Sequence, residues 1–236
     1  MCGIAGYSNS GQVNSTLLKQ MGDMLLHRGP DDGGIYTSKN KKVGFAHRRL
    51  SILDLSTNGH QPMSNSDKTI WITYNGEIYN FQEVRKKMVD KGYHFKSNSD
   101  TEVIIYAYQE YGTDCLSHFN GMFAFVIHDV RKEILFMARD RFGIKPLHYS
   151  FLSDGSFAFS SELKALTIHP AFKKEISSTA MGQYLTYRYI PSPTTIWKNT
   201  YKLPHGHFGV LNLETYDLKI DRWYYLPDAI QNRPKS

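Results

Sequence analysis

The second residue of the chain is a cysteine, Cys2, which follows Met1 and precedes Gly3. Removal of Met1, which is usual before a small residue, would leave Cys2 with both a thiol and a free α-amine. The amine titrates near pH ~8 and the thiol near pH ~8.5, so at neutral pH the amine can serve as the base for the thiol. This pair suits acyl transfer, although a cysteine can also stand at this position by chance.

A second group of polar residues, Asn75, Gly76 and Glu77, stands where a predicted strand ends. An Asn-Gly pair is typical of a type I′ turn. An acyl-transferring thiolate also needs donors for its oxyanion, and an asparagine amide beside an unhindered glycine N–H supplies two. The dipeptide alone leaves both interpretations open.

Two charged positions have the same ambiguity. Arg48 and Arg49 are neighbours on a predicted strand, so their side chains point to opposite faces and one of them can reach inward. An inward arginine can hold a carboxylate through two parallel hydrogen bonds, but a lone arginine on a strand is also typical of a surface charge or a structural ion pair. Asp100, at a predicted helix start, suits either a cap or a ligand contact.

The elements that must position these residues are helices and hairpins of strands. Helical periodicity follows Ser15 and ends near 27–30, a second helix runs from Asn80 to Gly92, and a third starts at Ser99 with Glu102 in a capping-box pattern and ends at Gly112. A fourth helix is predicted over 178–187. Strands are predicted at 43–54, 69–77, 121–129, 132–139, 146–152, 156–160 and 206–213. Hairpins grouped apart from helices indicate an α+β fold.

Composition narrows the class of protein. The 236 residues are 41% hydrophobic, enough for one sizeable core. A net charge of +6 raises the question of a nucleic-acid partner, but the basic residues are dispersed, so we expect none. The histidines lack metal-ligand spacing, so we expect no metal. With no signal peptide and no long apolar run, we expect no membrane association and a cytoplasmic location.

Nine segments together resemble the glutaminase domain of glutamine-hydrolysing asparagine synthetase, a class II glutamine amidotransferase. They occur in this order: Cys2-Gly-Ile-Ala-Gly, His27-Arg-Gly-Pro-Asp, Ala46-His-Arg-Arg-Leu-Ser-Ile-Leu-Asp, Gly59-His-Gln-Pro-Met, Tyr74-Asn-Gly-Glu-Ile-Tyr-Asn, Ser99-Asp-Thr-Glu, Phe119-Asn-Gly-Met-Phe-Ala-Phe, Arg139-Asp-Arg-Phe-Gly-Ile-Lys-Pro-Leu and Ser160-Ser-Glu-Leu-Lys-Ala-Leu. The resemblance covers residues 2–225, and it predicts a linker over 226–236 that leads to a C-terminal synthetase domain.

The resemblance implies an N-terminal-nucleophile (Ntn) hydrolase fold, a four-layer αββα sandwich of two antiparallel sheets between helices. It implies that Cys2 is the nucleophile and that Asn75 and Gly76 form the oxyanion hole. The residues it assigns to glutamine binding are Arg49, Leu50, Ser51, Ile52, Leu53, Asn75, Gly76, Glu77 and Asp100. Arg49 matches the contact to the α-carboxylate, and Glu77 and Asp100 match the contacts to the α-ammonium.

The function expected from this resemblance is hydrolysis of glutamine to glutamate and ammonia, with the ammonia passing to the synthetase domain. ATP and magnesium are expected only in that domain, because these 236 residues contain no Ser-Gly-Gly-x-Asp pyrophosphate loop. We expect no cofactor in this chain, and a homodimer is left open.

Two alternatives stay open at this point. The first is the glutaminase half of an amidotransferase that acts on another carboxylate acceptor, such as a surface polysaccharide. The second is a catalytically silent glutamine-binding module in which Met1 persists and blocks Cys2.

Overall fold

The computed structural model describes residues 1–54 and 56–231. Its strands are β1 (Gly3–Ser8), β2 (Asp32–Thr37), β3 (Val43–Arg49), β4 (Met63–Ser64), β5 (Ile70–Ile78), β6 (Gly121–Asp129), β7 (Ile134–Arg139), β8 (His148–Phe151), β9 (Phe157–Ser160), β10 (Thr200–Lys202), β11 (His207–Asn212) and β12 (Leu218–Arg222). Its helices are α1 (Ser15–Asp23), α2 (Phe81–Asp90), α3 (Asp100–Tyr111), α4 (Leu163–Leu166), α5 (Ser178–Tyr187) and α6 (Leu226–Gln231).

The strands form two antiparallel sheets. The first has the order β10-β8-β9-β1-β3-β2 and the second the order β12-β11-β7-β6-β5-β4. Between them, Phe45 and Phe159 of the first sheet share one apolar cluster with Val126 and Met137 of the second. The predicted α+β sandwich of two antiparallel sheets is therefore confirmed.

Helices cover the two outer faces. Leu18 and Met21 of α1 cluster with Tyr7 of β1 on the first sheet. Val103 and Ile104 of α3 belong to a further cluster with the helix-facing side chains of the second sheet. Side chains of a strand alternate between faces, so each sheet contributes to two apolar layers, and the molecule has the predicted αββα order.

Strand β1 lies inside the first sheet, between β9 and β3. All six of its residues are buried. A Cβ at Gly6 would lie 2.5 Å from the carbonyl oxygen of Gly44 and 2.6 Å from the ring of Phe159, so only glycine allows this close approach. The strand that begins directly after Cys2 is thus held tightly on both edges and both faces.

The strand predictions are correct in part. The predicted strand 43–54 ends at Arg49, because the Arg49 guanidinium donates to the carbonyl oxygens of Leu53 and Asp54 and folds that segment into a loop. Sequence reasoning missed β1, β2, β4, β10 and β12. β1 and β2 are rich in glycine, which is depleted in strands, and β1 is buried throughout, so no alternation marks it.

The helix predictions locate all four predicted helices but not every end. α1 ends at Asp23, after which hydrogen bonds from Leu25 N–H to Gly22 and from Arg28 N–H to Leu25 tighten the chain into a 3₁₀ turn. The capping box at α3 is wrong. Ser99 caps the N–H of Thr101, but the Glu102 carboxylate accepts from Lys96 and Ser97 instead.

The predicted linker 226–236 begins with the short helix α6, and residues 232–236 lie outside the described residues. The domain boundary near residue 225 stays a prediction.

Candidate active site

One cleft, of about 590 Å³ including the part open to solvent, gathers residues that are far apart in sequence. The two residues before β1, the end of β3, the later half of β5 and the start of α3 all contribute to it. Every residue that the sequence assigned to the site lines this cleft except Ser51. The N–H of Ser51 instead donates to a carboxylate oxygen of Asp31 at 2.8 Å.

The Cys2 thiol lies half-buried in the cleft. Its Sγ accepts a hydrogen bond from the N–H of Leu50 at 3.4 Å. Burial raises the pKa of this thiol, and the Leu50 hydrogen bond, the N-terminal amine and Arg49 oppose the shift. The thiol is therefore mainly protonated at neutral pH and needs a base before it can attack.

The N-terminal amine, which here belongs to Met1, lies in the same cleft as the thiol. Burial lowers the pKa of this amine, and the positive charges of Arg28 and Lys145 act in the same direction. A lowered pKa increases the neutral fraction of the amine at physiological pH, and the neutral form is the one that can accept a proton.

Asn75 brings an unused hydrogen-bond donor to the cleft that holds the thiol. Its side chain is buried, and its Nδ2 finds no acceptor among the described residues. Buried amide donors are normally paired, so one left free in a cleft points to a group that arrives with the substrate. The alternative of a type I′ turn is wrong, because Asn75 and Gly76 lie inside β5 and pair with Ala124 and Phe123 of β6.

Gly76 contributes its backbone at the same place. In an antiparallel ladder, alternate residues direct their N–H groups to the same edge of the strand. On the edge of β5 that faces away from β6, the N–H of Tyr74 donates to Gln61 at 2.8 Å and the N–H of Ile78 donates to Asp100 at 3.0 Å. Gly76 stands between them and lines the cleft, so its N–H points to this edge beside Asn75.

Arg49 is a buried cation whose partners are neutral. Its Nη2 donates to the carbonyl oxygen of Leu53 at 3.0 Å and also to that of Asp54, and Nη1 reaches Ser56 O at 3.4 Å. Among the described residues, no carboxylate forms an ion pair with it. A buried guanidinium without a counter-ion can take a substrate carboxylate. Arg48 points to the opposite face, where it pairs with Asp23.

Asp100 supplies the opposite charge. Its Oδ2 accepts from the hydroxyl of Tyr74 at 2.7 Å and from the N–H of Ile78. Burial is the main reason that the pKa of Asp100 is raised, and the nearby Glu77 carboxylate adds to the shift. A buried carboxylate that lies near a second carboxylate is suited to an arriving cation.

Sequence reasoning missed Gln61 and Lys145, which also line the cleft. Gln61 holds the N–H of Tyr74, and Lys145 is buried at the end of a loop that Asp140 organises by accepting from the N–H groups of Phe142, Ile144 and Lys145, each at 3.0 Å. The signal for both was present, because Gln61 and Lys145 occur in the motifs that carry the family resemblance.

Metal sites and membrane-spanning helices are both absent from the described residues. Across 1–54 and 56–231, no group of three or more His, Cys, Asp or Glu side chains is placed to hold a metal ion. In the same part of the chain, no helix combines the length and apolar character that crossing a bilayer requires.

Comparison with known families identifies the protein family. The glutamine amidotransferase domain family matches residues 1–224, which is nearly the whole chain. The chain belongs to this glutamine amidotransferase family. The resemblance drawn from the nine motifs is thus confirmed, and the activity of the family is glutamine-hydrolysing amidotransfer.

Two similar curated proteins are much longer than this amidotransferase domain. Asparagine synthetase [glutamine-hydrolyzing] 1 of Bacillus subtilis is 42% identical over 211 residues, which are 87% of this chain and 33% of that protein. Putative asparagine synthetase [glutamine-hydrolyzing] 2 of Methanocaldococcus jannaschii is 40% identical over 247 residues, which cover 97% of this chain and 47% of that protein. The chain therefore spans about a third to a half of their length.

Solved structures support the fold of the amidotransferase domain. The glutamine phosphoribosylpyrophosphate amidotransferase of B. subtilis superposes with a TM-score of 0.68 at 18% identity, covering 94% of this chain and 49% of that chain. A structure described as the allosteric regulatory enzyme of purine biosynthesis gives 0.69 at 18% identity, with the same coverage. At this identity the likeness concerns the fold alone, and it agrees with the predicted α+β sandwich of two antiparallel sheets.

The raised pKa of Asp100 predicts a pH-dependent stability. Because the folded state holds this proton more tightly than the unfolded chain, whose carboxyl has the ordinary pKa of 3.8, the stability it contributes is present below that pH and is lost as the pH rises through the higher folded value. We expect Asp100→Asn to gain unfolding free energy relative to the wild type as the pH rises through this window, measured by urea unfolding at a series of pH values.

Asp129→Asn is the matched control. Asp129 is also buried and accepts a tyrosine hydroxyl, from Tyr108 at 3.1 Å, but it lies outside the cleft and 3.7 Å from the Lys132 ammonium. A difference between wild type and Asp100→Asn that does not change with pH would contradict the role of burial.

Proposed function

We propose that Cys2, once Met1 has been removed, hydrolyses the side-chain amide of glutamine. The observation that carries this proposal is the meeting of the thiol with the unused Asn75 donor in one cleft, with an unpaired cation and two carboxylates in its wall. The charges are complementary to a free amino acid, because glutamine presents one carboxylate for Arg49 and one ammonium for Glu77 and Asp100.

The first half of the reaction forms a thioester. The α-amine of Cys2 takes the thiol proton, and Sγ attacks the amide carbon of glutamine. The carbonyl oxygen becomes an oxyanion that accepts from Asn75 Nδ2 and Gly76 N–H. The protonated amine then gives its proton to the departing nitrogen as the C–N bond breaks, and ammonia leaves.

The second half returns the enzyme. Water attacks the γ-glutamyl thioester while the amine takes a proton from it, and the same donors hold the second oxyanion. The C–S bond breaks, the sulfur recovers its proton, and glutamate is released.

Met1 must be absent for this mechanism. While Met1 is present, the free amine belongs to the wrong residue and the methionine itself lines the cleft. The silent glutamine-binding module is the state expected for a protein that keeps Met1, and the N-terminal mass distinguishes the two forms.

The Cys2 proposal predicts selective labelling. We expect an electrophilic glutamine analogue, diazo-oxo-norleucine, to modify demethionylated protein at Cys2 alone, and Cys2→Ala to lose both labelling and ammonia release. Cys115 is the internal control, because it is fully buried and burial raises the pKa of its thiol. Peptide mass spectrometry reads both sites, and an adduct elsewhere or an active Cys2→Ala enzyme would contradict the proposal.

Binding and chemistry are expected to separate between Arg49 and Asn75. Arg49→Lys loses the paired hydrogen bonds to the α-carboxylate, so KM for glutamine should rise by roughly 10–100-fold, equivalent to about 1.5–3 kcal/mol for a charged hydrogen bond. Asn75→Ala removes an oxyanion donor, so kcat should fall by about 10²–10³-fold. Steady-state ammonia release measures both, and Arg48→Lys, on the opposite face of β3, is the control.

We further propose that the ammonia is used by an ATP- and magnesium-dependent synthetase domain of the same polypeptide to amidate aspartate. The names and greater length of the B. subtilis and M. jannaschii relatives support this acceptor. The full polypeptide supplied with glutamine, ATP, magnesium and aspartate should form asparagine, detected by amino-acid analysis. This chain alone should form glutamate and ammonia but no asparagine. If product forms only with another carboxylate, such as a polysaccharide uronate, that carboxylate is the acceptor in place of aspartate.

A further inference from the structure

Arg28 and Glu162 belong to two sequence motifs to which the mechanism above gives no role. They meet beside the first residues of β1. The Arg28 side chain is only 9% exposed, and its Nη1 donates to Oε1 of Glu162 at 2.8 Å. A second nitrogen of the same guanidinium, Nε, donates to the backbone carbonyl oxygen of Cys2 at 2.9 Å.

The two hydrogen bonds act through a rigid plane. A guanidinium is planar, so fixing Nη1 on a carboxylate also fixes the direction of Nε. The carbonyl of Cys2 is bonded directly to its Cα, from which both the amine and the Cβ–Sγ arm branch. Holding this carbonyl therefore restricts where the thiol and the amine can point.

Glu162 is anchored from other sides. Its carboxylate also contacts His27 Nε2 at 3.0 Å and Lys164 Nζ at 3.3 Å. Burial acts to raise the pKa of Glu162, but the hydrogen bonds from Arg28, His27 and Lys164 lower it to about 2, so it stays ionised at any pH at which the enzyme works. The anchor of Arg28 is thus a permanent charge.

On the β9 side of β1, strand pairing does not extend as far as Cys2. β9 pairs with β1 only from Ala5 to Ser8. Ser161 adds hydrogen bonds to one more residue of β1. Its Oγ accepts from Ile4 N–H at 3.1 Å, and its N–H donates to Ile4 O at 2.9 Å. On this side, Arg28 is the next group that holds the backbone of Cys2.

Arg28 is a costly way to stabilise the fold. Its Nη2 is buried and has no acceptor among the described residues. A buried donor without a partner costs about 1–3 kcal/mol, so packing alone does not account for an arginine here. We propose that the Arg28–Glu162 pair is a positioning unit that aims the thiol and the amine of Cys2 at the scissile amide; this inference rests on the proposed function of Cys2.

Arg28→Lys and Glu162→Gln test the unit in demethionylated protein. Lysine keeps the charge but cannot reach both partners through one plane, and glutamine removes the anchoring charge. Because misplacement of a reacting group by about 1 Å can cost about 10²-fold, we expect kcat for ammonia release to fall by about that factor. KM for glutamine should stay within about twofold, since substrate binding lies with Arg49 and Asp100.

The matched control is the ion pair between Arg48 and Asp23, which joins β3 to α1 outside the cleft. Arg48→Lys and Asp23→Asn should leave kcat unchanged. If the Arg28 and Glu162 variants keep kcat, or if they lose activity only in proportion to unfolded protein seen by urea unfolding, the positioning role is overturned.

A pH profile separates positioning from charge. The charged groups that act on the N-terminal amine are the Cys2 thiol, Arg28, Lys145 and Asp31. The amine, Arg49 and Asp100 act on the thiol. The Arg28 guanidinium lies against the carbonyl oxygen of Cys2, so Arg28→Gln removes a positive charge close to the amine that Cys2 carries once Met1 is gone. Removing a nearby positive charge raises the pKa of an amine, so the ascending limb of kcat/KM should move to higher pH. Arg28→Lys should keep the wild-type midpoint at a reduced kcat, and a loss of folded protein alone would move neither midpoint.

Alkylation by iodoacetamide reports on Cys2 without glutamine. We expect Arg28→Lys and Glu162→Gln to change the alkylation rate of Cys2, with buried Cys115 as the reference thiol. Wild-type protein that is alkylated at Cys2 but releases no ammonia from glutamine would refute the proposed function. The rates in the variants would still decide the positioning inference, and rates equal to the wild-type rate would overturn it.

Discussion

The pairing of β1 between β9 and β3 is the constraint on which the site depends. A chain terminus is normally free to move, yet here the first strand lies inside a sheet and all of its residues are buried. A nucleophile on the residue just before such a strand needs no loop to carry it. The consequence is that the strand requires a glycine at position 6, since a Cβ there would lie against the backbone of Gly44.

The cleft around Cys2 buries its polar groups and contains charged side chains that have no counter-ion in the described part of the chain. Burial keeps the Cys2 thiol protonated and lowers the pKa of the neighbouring N-terminal amine. At neutral pH the thiol therefore has a proton to give, and a larger fraction of the amine is in the neutral form that can take it. Arg49 and Asp100 are both buried, and they do not form an ion pair with each other. Such groups weaken the empty protein and gain when a zwitterion binds, which makes the site selective for a ligand that carries both charges.

The sequence predicted which residues line the cleft better than it predicted the elements that carry them. The motifs around Cys2, Arg49, Asn75 and Asp100 are specific enough to indicate a glutamine amidotransferase, and hairpin turns indicated the antiparallel sheets. β1 and β2 escaped because their glycines allow close packing, a tertiary effect that propensity does not contain. The Asn-Gly pair suggested a turn because the local signal carries no information about the long pairing of β5 with β6.

The contact between Arg28 and Glu162 could not be predicted from the sequence either. They lie 134 residues apart, and neither has a helical or strand period that would connect them. The same is true of Gln61, which holds β5 through the N–H of Tyr74. Residues that support a site through long-range hydrogen bonds leave no local pattern, so only the folded arrangement reveals their partners.

The buried position of β1 also bears on how the protein can be handled. Any polypeptide joined ahead of Cys2 would have to leave through the mouth of the cleft, where Met1 already stands. An affinity tag at that end would fill the substrate entrance of the protein. Tags at the opposite terminus, or leaders that a protease cuts directly before the cysteine, avoid this obstruction.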